Sequence, residues 1–225
     1  MILKGSFSKF SNISKLSGCI AFFTNEKSEI NHLKKYLSSS DYKNLNAILK
    51  NRNKKKGLLS FDLNPKQKIV LISLKKNQKQ NETEKNGAKF TDFLNSEGIG
   101  VAHVLSDTIS INLKSDAIYE FLHGMRLKSY SFDKYKSKKE SKILRINMIS
   151  SKKLEKKIYD KFMAIESGVN YTKDLVSEPG NILHPDEYAR RLTQLKKIGL
   201  KVSVYNEKQL KKMGCNALVG VGQGS

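Results

Sequence analysis

Asn170–Pro185 reads NYTKDLVSEPGNILHP, and the order of its residues sets the local fold on both sides. Pro179 has no N–H to give and disfavours helical geometry at Glu178, so a helix arriving from the amino side stops near Ser177. Gly180 and Asn181 then suit a turn, since both tolerate positive φ. Pro185-Asp186-Glu187 predicts a new helix, because proline fits the first turn and the two acids sit at the positive end of the helix dipole. Upstream, Leu154, Ile158, Phe162, Ile165 and Val169 recur every three or four residues, the spacing of one buried helix face. Lysines at 152, 153, 156, 157 and 161 fill much of the remaining circumference and keep it solvated. Downstream, Tyr188, Leu192, Leu195 and Ile198 continue the second helix, and Gly199 ends it. Lys201–Tyr205 alternates like a strand, Glu207–Met213 predicts a short helix, and Ala217–Val221 predicts a strand running into glycines. Such a β/α succession predicts a mostly parallel sheet.

Residues 1 to about 150 read as a separate α/β unit. Gly18–Phe23 is a short apolar run bounded by polar residues, the pattern of a buried strand. Leu45, Ile48 and Leu49 share one face of a short helix, and Gly57–Leu63 predicts an edge strand. Ile69–Leu74 is the clearest buried strand of this half. Lys75–Asn86 is polar and carries no core signal, which predicts a loop with a helix start. Phe90, Phe93 and Leu94 finish that helix, and Ile99–Leu105 returns as a strand. Ile118, Phe121, Leu122 and Met125 place a helix over Ala117–Leu127, and Ile143–Ile149 is a last strand. No internal repeat is present, and compositional bias is confined to lysine and asparagine richness, as in Lys134–Lys142.

Composition sets outer bounds. A chain of 225 residues can bury one sizeable core and part of another. Its hydrophobic content is 38% and its charged content 28%, with mean hydropathy −0.50, which marks a very polar surface. No apolar run approaches the roughly 20 residues that span a bilayer. The opening MILKGSFSKFSNISK has no continuous apolar stretch of the signal-peptide kind. Cys19 and Cys215 are isolated, one in each half, which speaks against a disulfide framework and for a reducing cytoplasm.

Two strings resemble a known family. Asn170–Pro185 is similar to the R-D-L-V-N-E-P-x-N-x-L-x-P segment that opens the catalytic domain of leucyl aminopeptidases, and Leu218–Ser225, LVGVGQGS, is similar to their G-V-G-Q-G-S. Asp174, Leu175, Glu178, Pro179, Asn181 and Pro185 match, while Lys173 replaces the usual arginine and Ser177 the usual asparagine. Gly124–Lys136, GMRLKSYSFDKYK, resembles the string G-x-x-L-x-x-Y-x-F-D-x-Y-K of the family's amino-terminal domain, through Leu127, Tyr130, Phe132, Asp133, Tyr135 and Lys136. Lys75-Lys76 departs from it, where a glycine is common. The resemblance implies an α/β protein: a three-layer regulatory and assembly domain over 1–150, similar to a macro domain, a linker helix over 151–178, and the start of a truncated peptidase catalytic domain over 179–225. It further implies cytoplasmic hexamers that remove amino-terminal residues from peptides, with two divalent ions, manganese or zinc, activating a bridging water. The family's metal ligands lie in strings such as G-K-G-x-T-F-D-S-G-G, which would follow Ser225. The chain is thus expected to be the front part of an enzyme, inactive alone and binding no metal itself.

The distribution of titratable residues agrees with that expectation. His32, His103, His123 and His184 are scattered, with no H-E-x-x-H and no close cysteine pair. A lone loop histidine such as His184 is more often a polar turn residue than a ligand. Asp174 and Glu178, four apart, could look like a carboxylate pair, but Asp174 pairing with a base and Glu178 anchoring the turn is the simpler reading. Gly220, Gly222 and Gly224 lack the G-x-G-x-x-G spacing and any following lysine of a phosphate loop, so tight packing at a strand end accounts for them better. No residue is assigned a catalytic, cofactor-binding or metal-binding role.

The net charge of +21 raises nucleic-acid binding as a partner class. Some bacterial members of the family bind DNA as well as cleave peptides. Yet arginine occurs only at 52, 126, 145, 190 and 191, the lysines are spread over every segment, and base reading favours arginine. Weak, non-specific binding at low salt is the expectation. The alternative to an aminopeptidase portion is a non-catalytic assembly or nucleic-acid-binding module.

Overall fold

The computed structural model describes residues 2–10, 12–50, 57–138, 143–153 and 155–223. The chain divides into two compact units, Met1–Tyr171 and Thr172–Ser225.

The first unit is built on a six-stranded sheet. Its strands are β1 (Ile2–Ser8), β2 (Gly18–Asn25), β3 (Leu58–Asn64), β4 (Gln67–Leu74), β5 (Val101–Leu105) and β6 (Ile143–Ile149), in the spatial order β1-β6-β5-β2-β4-β3. All pairings are parallel except β3 with β4, which is the antiparallel hairpin that puts β3 at the edge. The helices are α1 (Ser39–Lys50), α2 (Gln80–Ser96), α3 (Ala117–Ser129) and α4 (Lys156–Ser177), and the last of these runs on into the second unit.

Alternation along the strands feeds two cores, one on each face. On one face Cys19, Ala21, Phe23, Val70, Ile72, Val104, Ile146 and Met148 pack with Phe90 and Leu94 of α2, Phe121, Leu122 and Met125 of α3, and Phe162 of α4. On the other, Ile20, Phe22, Ile69 and Leu71 pack with Leu45 and Leu49 of α1 and with Ile13 and Leu33 from short 3-10 turns. The unit is therefore three-layered. The central strands, covered on both sides, read as continuous apolar runs for this reason.

Several expectations change. β1 is a full strand although its sequence mixes polar and apolar residues, as suits an edge. α2 begins at Gln80, within the polar stretch expected to hold a helix start, and Thr83 and Gly87 are buried there without a large apolar side chain. Ile48 is 39% exposed, so α1 buries Leu45 and Leu49 alone of the predicted face. On α4, Ile165 is 42% exposed and the buried neighbour of Phe162 is Glu166; Leu154 lies outside the described residues.

The regular elements described in the second unit after α4 are all helical: α5 (Pro185–Thr193) with a 3-10 continuation to Ile198, α6 (Glu207–Lys212) and α7 (Asn216–Gln223). Gly199 ends the first of these at φ +90°, as the sequence predicts. The two predicted strands are absent. Lys201–Tyr205 has no regular structure, because a strand is completed only by a neighbour and none is described in this unit. Ala217–Val221 is helical instead. A short apolar run satisfies its own backbone in a helix when no sheet is beside it, and periodicity alone does not separate the two states.

Candidate functional site around the Glu178 turn

The turn after α4 is constructed as its sequence dictates. The helix stops at Ser177, and the N–H groups of Ile182 and Leu183 both donate to the Pro179 carbonyl at 2.9 Å. Neither Gly180 nor Asn181 adopts positive φ, so the turn is tighter and more ordinary than those residues allow. His184 is the exposed N-cap residue of α5 with extended backbone, and makes no side-chain capping bond.

Glu178 is the buried centre of this turn, with a side chain only 2% exposed. Arg191 Nη1 donates to its Oε1 at 2.9 Å, and Arg191 Nε donates to Glu187 Oε1 at 2.8 Å. Arg190 closes the set with a two-pronged contact to Glu187, at 2.5 and 2.7 Å. Hydrogen bonds from Arg190 and then Arg191 pull the Glu187 carboxyl down to about 2, and those from Glu187 and Glu178 push the Arg191 guanidinium up. Two carboxylates and two guanidiniums neutralise one another here. Glu178 anchors the turn, and Asp174 lies on the exposed side of the last turn of α4.

A second cluster lies within the first unit. His123 Nδ1 stands 3.0 Å from Glu166 Oε1, and Arg126 Nη1 donates to Glu166 Oε2 at 3.2 Å. Arg126 also donates to the Tyr159 hydroxyl at 2.5 Å and lies over the Tyr159 ring. His123 and Glu166 are each 6% exposed. Sequence reasoning missed this triad, since 43 residues separate the pair and the one signal was an acid set into the apolar stripe of α4.

The other candidates resolve separately. His32 Nε2 meets the Phe23 carbonyl at 2.9 Å and His103 Nε2 the Ser17 carbonyl at 3.2 Å; burial lowers the pKa of both. Cys19 is fully buried, which pushes its thiol up to about 12, and Cys215 is half-buried; both are free. Gly220 and Gly222 sit on α7 with open space where a Cβ would stand, so tight packing is not their reason; Gly224 lies outside the described residues. Among the described residues no three His, Cys, Asp or Glu side chains come together in a way that could hold a metal ion. The described residues therefore present no ligand set for the two divalent ions that the resemblance implies.

Residues 170–225, the segment that contains the Glu178 turn, match the cytosol aminopeptidase family, catalytic domain. The chain belongs to the cytosol aminopeptidase family. A probable cytosol aminopeptidase of Phytoplasma australiense is 42% identical over 125 residues, which are 54% of this chain and 25% of that protein. One from Dinoroseobacter shibae is 35% identical over 158 residues, 70% of this chain and 30% of its own length. The chain thus spans less than a third of these relatives. A mutant of tomato leucine aminopeptidase shares the fold at a TM-score of 0.66 and 13% identity, over 94% of this chain and 46% of that one. The cytosol aminopeptidase of Coxiella burnetii does so at 0.62 and 15%, over 92% and 41%.

Proposed function

We propose that this chain is the amino-terminal portion of a leucyl aminopeptidase, an exopeptidase that removes amino-terminal residues from peptides. The observation that supports it most is the match of 170–225 to the family's catalytic domain, on a turn whose Glu178 is held by Arg191. In this reading 1–150 is a regulatory and assembly domain, 151–178 the linker helix, and 179–225 the first part of the peptidase domain. A bottromycin maturation enzyme of similar fold has been solved in complex with Mn (TM-score 0.61, 12% identity, over 88% of this chain and 40% of that one). The parent protein would use two such divalent ions, manganese or zinc, on ligands supplied by sequence beyond Ser225, and would assemble as cytoplasmic hexamers. No described helix is long and apolar enough to cross a membrane.

The purified 225-residue chain should not hydrolyse leucine amide with manganese or zinc added. Reading the source gene past Ser225 is the companion test. An in-frame continuation carrying the metal-ligand strings is the expected result. A stop codon there, or turnover by the clean chain above a no-enzyme control, would overturn the reading.

A further inference from the structure

β1 ends the sheet, pairing with β6 on one side only. The Ser150 N–H donates to the Ser8 carbonyl at 3.0 Å, next to the β6 ladder. Backbone groups alternate along a strand, so Ser8, Ser6 and Lys4 point theirs toward β6, and Leu3, Gly5 and Phe7 point theirs outward. Among the described residues those outward groups bond to nothing. An unpaired row of this kind is a template for another strand.

The side chains flanking that edge differ by face. Leu3 and Phe7 are half-buried beside the core that α2 and α3 cover, and Phe7 meets Tyr159 edge-on at 5.5 Å. On the opposite face Lys4 neighbours Arg145, which neighbours Val101; Ser6 neighbours Asn147, which neighbours His103. This part of the sheet is open, with Lys4 and Arg145 exposed and only Leu105 and Ile149 entering the core beneath α1. Parallel sheets are ordinarily covered on both faces. The serines and Asn147 satisfy one another at 3.1 and 3.2 Å, whereas Lys4 and Arg145 stand side by side without an ion pair among the described residues. Two adjacent like charges on one sheet face are unfavourable until an acid joins them.

We propose that the free edge of β1 docks an extended segment of a partner protein as a seventh strand, with apolar and acidic side chains in alternation. Its apolar side chains would extend the row of Leu3 and Phe7, and its carboxylates would lie beside Lys4 and Arg145. This site is independent of the aminopeptidase reading. A second copy of β1 fits less well, because its own Lys4 adds a cation to the row. Nucleic acid fits less well too, since among the described residues β1, β6 and β5 put no Phe or Tyr ring on this face to stack a base.

The probe is a peptide alternating valine and glutamate, with a valine–lysine peptide as its counterpart. Binding is read by fluorescence anisotropy, and the contact by hydrogen exchange at the Leu3, Gly5 and Phe7 amides. The glutamate peptide should bind and slow exchange at those three positions. Lys4→Glu should weaken it about tenfold and favour the lysine peptide, as replacing attraction by repulsion on one row requires. Gly5→Pro removes an outward donor without touching the β6 ladder and should also weaken binding; if it fails to fold, Lys4→Glu decides alone. The charge reversal Lys66→Glu, on the exposed turn between β3 and β4 at the opposite end of the sheet, should leave binding unchanged. Equal weakening by that control, binding without slowed β1 exchange, self-association through β1, or protection of the same amides by an oligonucleotide would each overturn the proposal.

Discussion

Gly124→Ala tests how closely α2 and α3 cross. A Cβ at Gly124 would stand 1.9 Å from the Glu84 carbonyl oxygen and 2.7 Å from its Cα, all backbone atoms of the facing helix. Gly87 is the reciprocal contact, with its Cβ 2.0 Å from the Phe121 oxygen. A carbon settles at roughly 3.3 Å or more from a carbonyl oxygen, so the helices must part by about 1.4 Å. No side chain can turn away to absorb this. Overpacking of a core costs about 1–3 kcal/mol, and here a gap also opens among Phe90, Leu94, Phe121 and Met125. Alanine returns roughly 1 kcal/mol of helix propensity. The net loss is then about 1–2 kcal/mol, which for a chain of this size lowers Tm by about 2–8 °C. Gly168→Ala is the internal control, since its Cβ meets no atom within 4 Å in the middle of α4 and alanine should raise Tm slightly. Calorimetry of the three proteins gives the answer. A Gly124→Ala protein that melts at or above the wild-type temperature would refute the close crossing.

Other outcomes are as definite. Glu166→Ala removes the acid between His123 and Arg126 and should cost about 3 kcal/mol, near the low end for breaking a buried pair because Arg126 keeps Tyr159; urea denaturation measures it, and a wild-type midpoint would contradict the burial. Glu187, with its folded pKa depressed to about 2, lends stability that is present above the ordinary glutamate range and lost as pH falls from about 4.5 through 2. Carboxyl NMR should show that late titration, and an ordinary midpoint would break the Arg190 and Arg191 contacts. His32 and His103 have lowered pKa values, so the unfolded chain binds their protons first and stability should fall as pH drops below about 6.5; replacing both by glutamine should flatten that part of the profile. A thiol reagent at pH 8 should label Cys215 and leave Cys19 unmodified until the protein unfolds, and rapid double labelling would disprove the burial of β2.

The first unit was largely legible because its signals were local or strictly periodic. Ile69–Leu74 is apolar at every position but Ser73, which only a strand covered on both faces tolerates, and β4 lies second from the edge between β2 and β3. β1 was not legible for the opposite reason. ILKGSFS has one half-covered face and one open face, and its place is set by pairing with β6, some 140 residues away. The start of α2 was legible only as a helix start somewhere in Lys75–Asn86, since Gly87 and Thr83 are buried by being small rather than by being apolar. The His123–Glu166–Arg126 cluster needs a fold to exist at all.

The second unit shows where alternation loses its meaning. Helices α5 and α6 were legible because their starts depend on neighbours in sequence: Pro185 with Asp186 and Glu187, and the reciprocal capping of Asn206 and Gln209. Lys201–Tyr205 carries an equally regular pattern, but a strand is a relation between two segments, and Val204 is 55% and Tyr205 52% exposed without a second one. The same holds over the rest of the unit, where Ile198 is 75%, Val221 73% and Val176 80% exposed, while Leu175 and Val219 are the buried hydrophobic side chains. Local rules thus hold in this unit and the long-range ones lack their second party. Under the proposal that 179–225 begins a larger domain, these exposed apolar side chains would join a core completed by other segments.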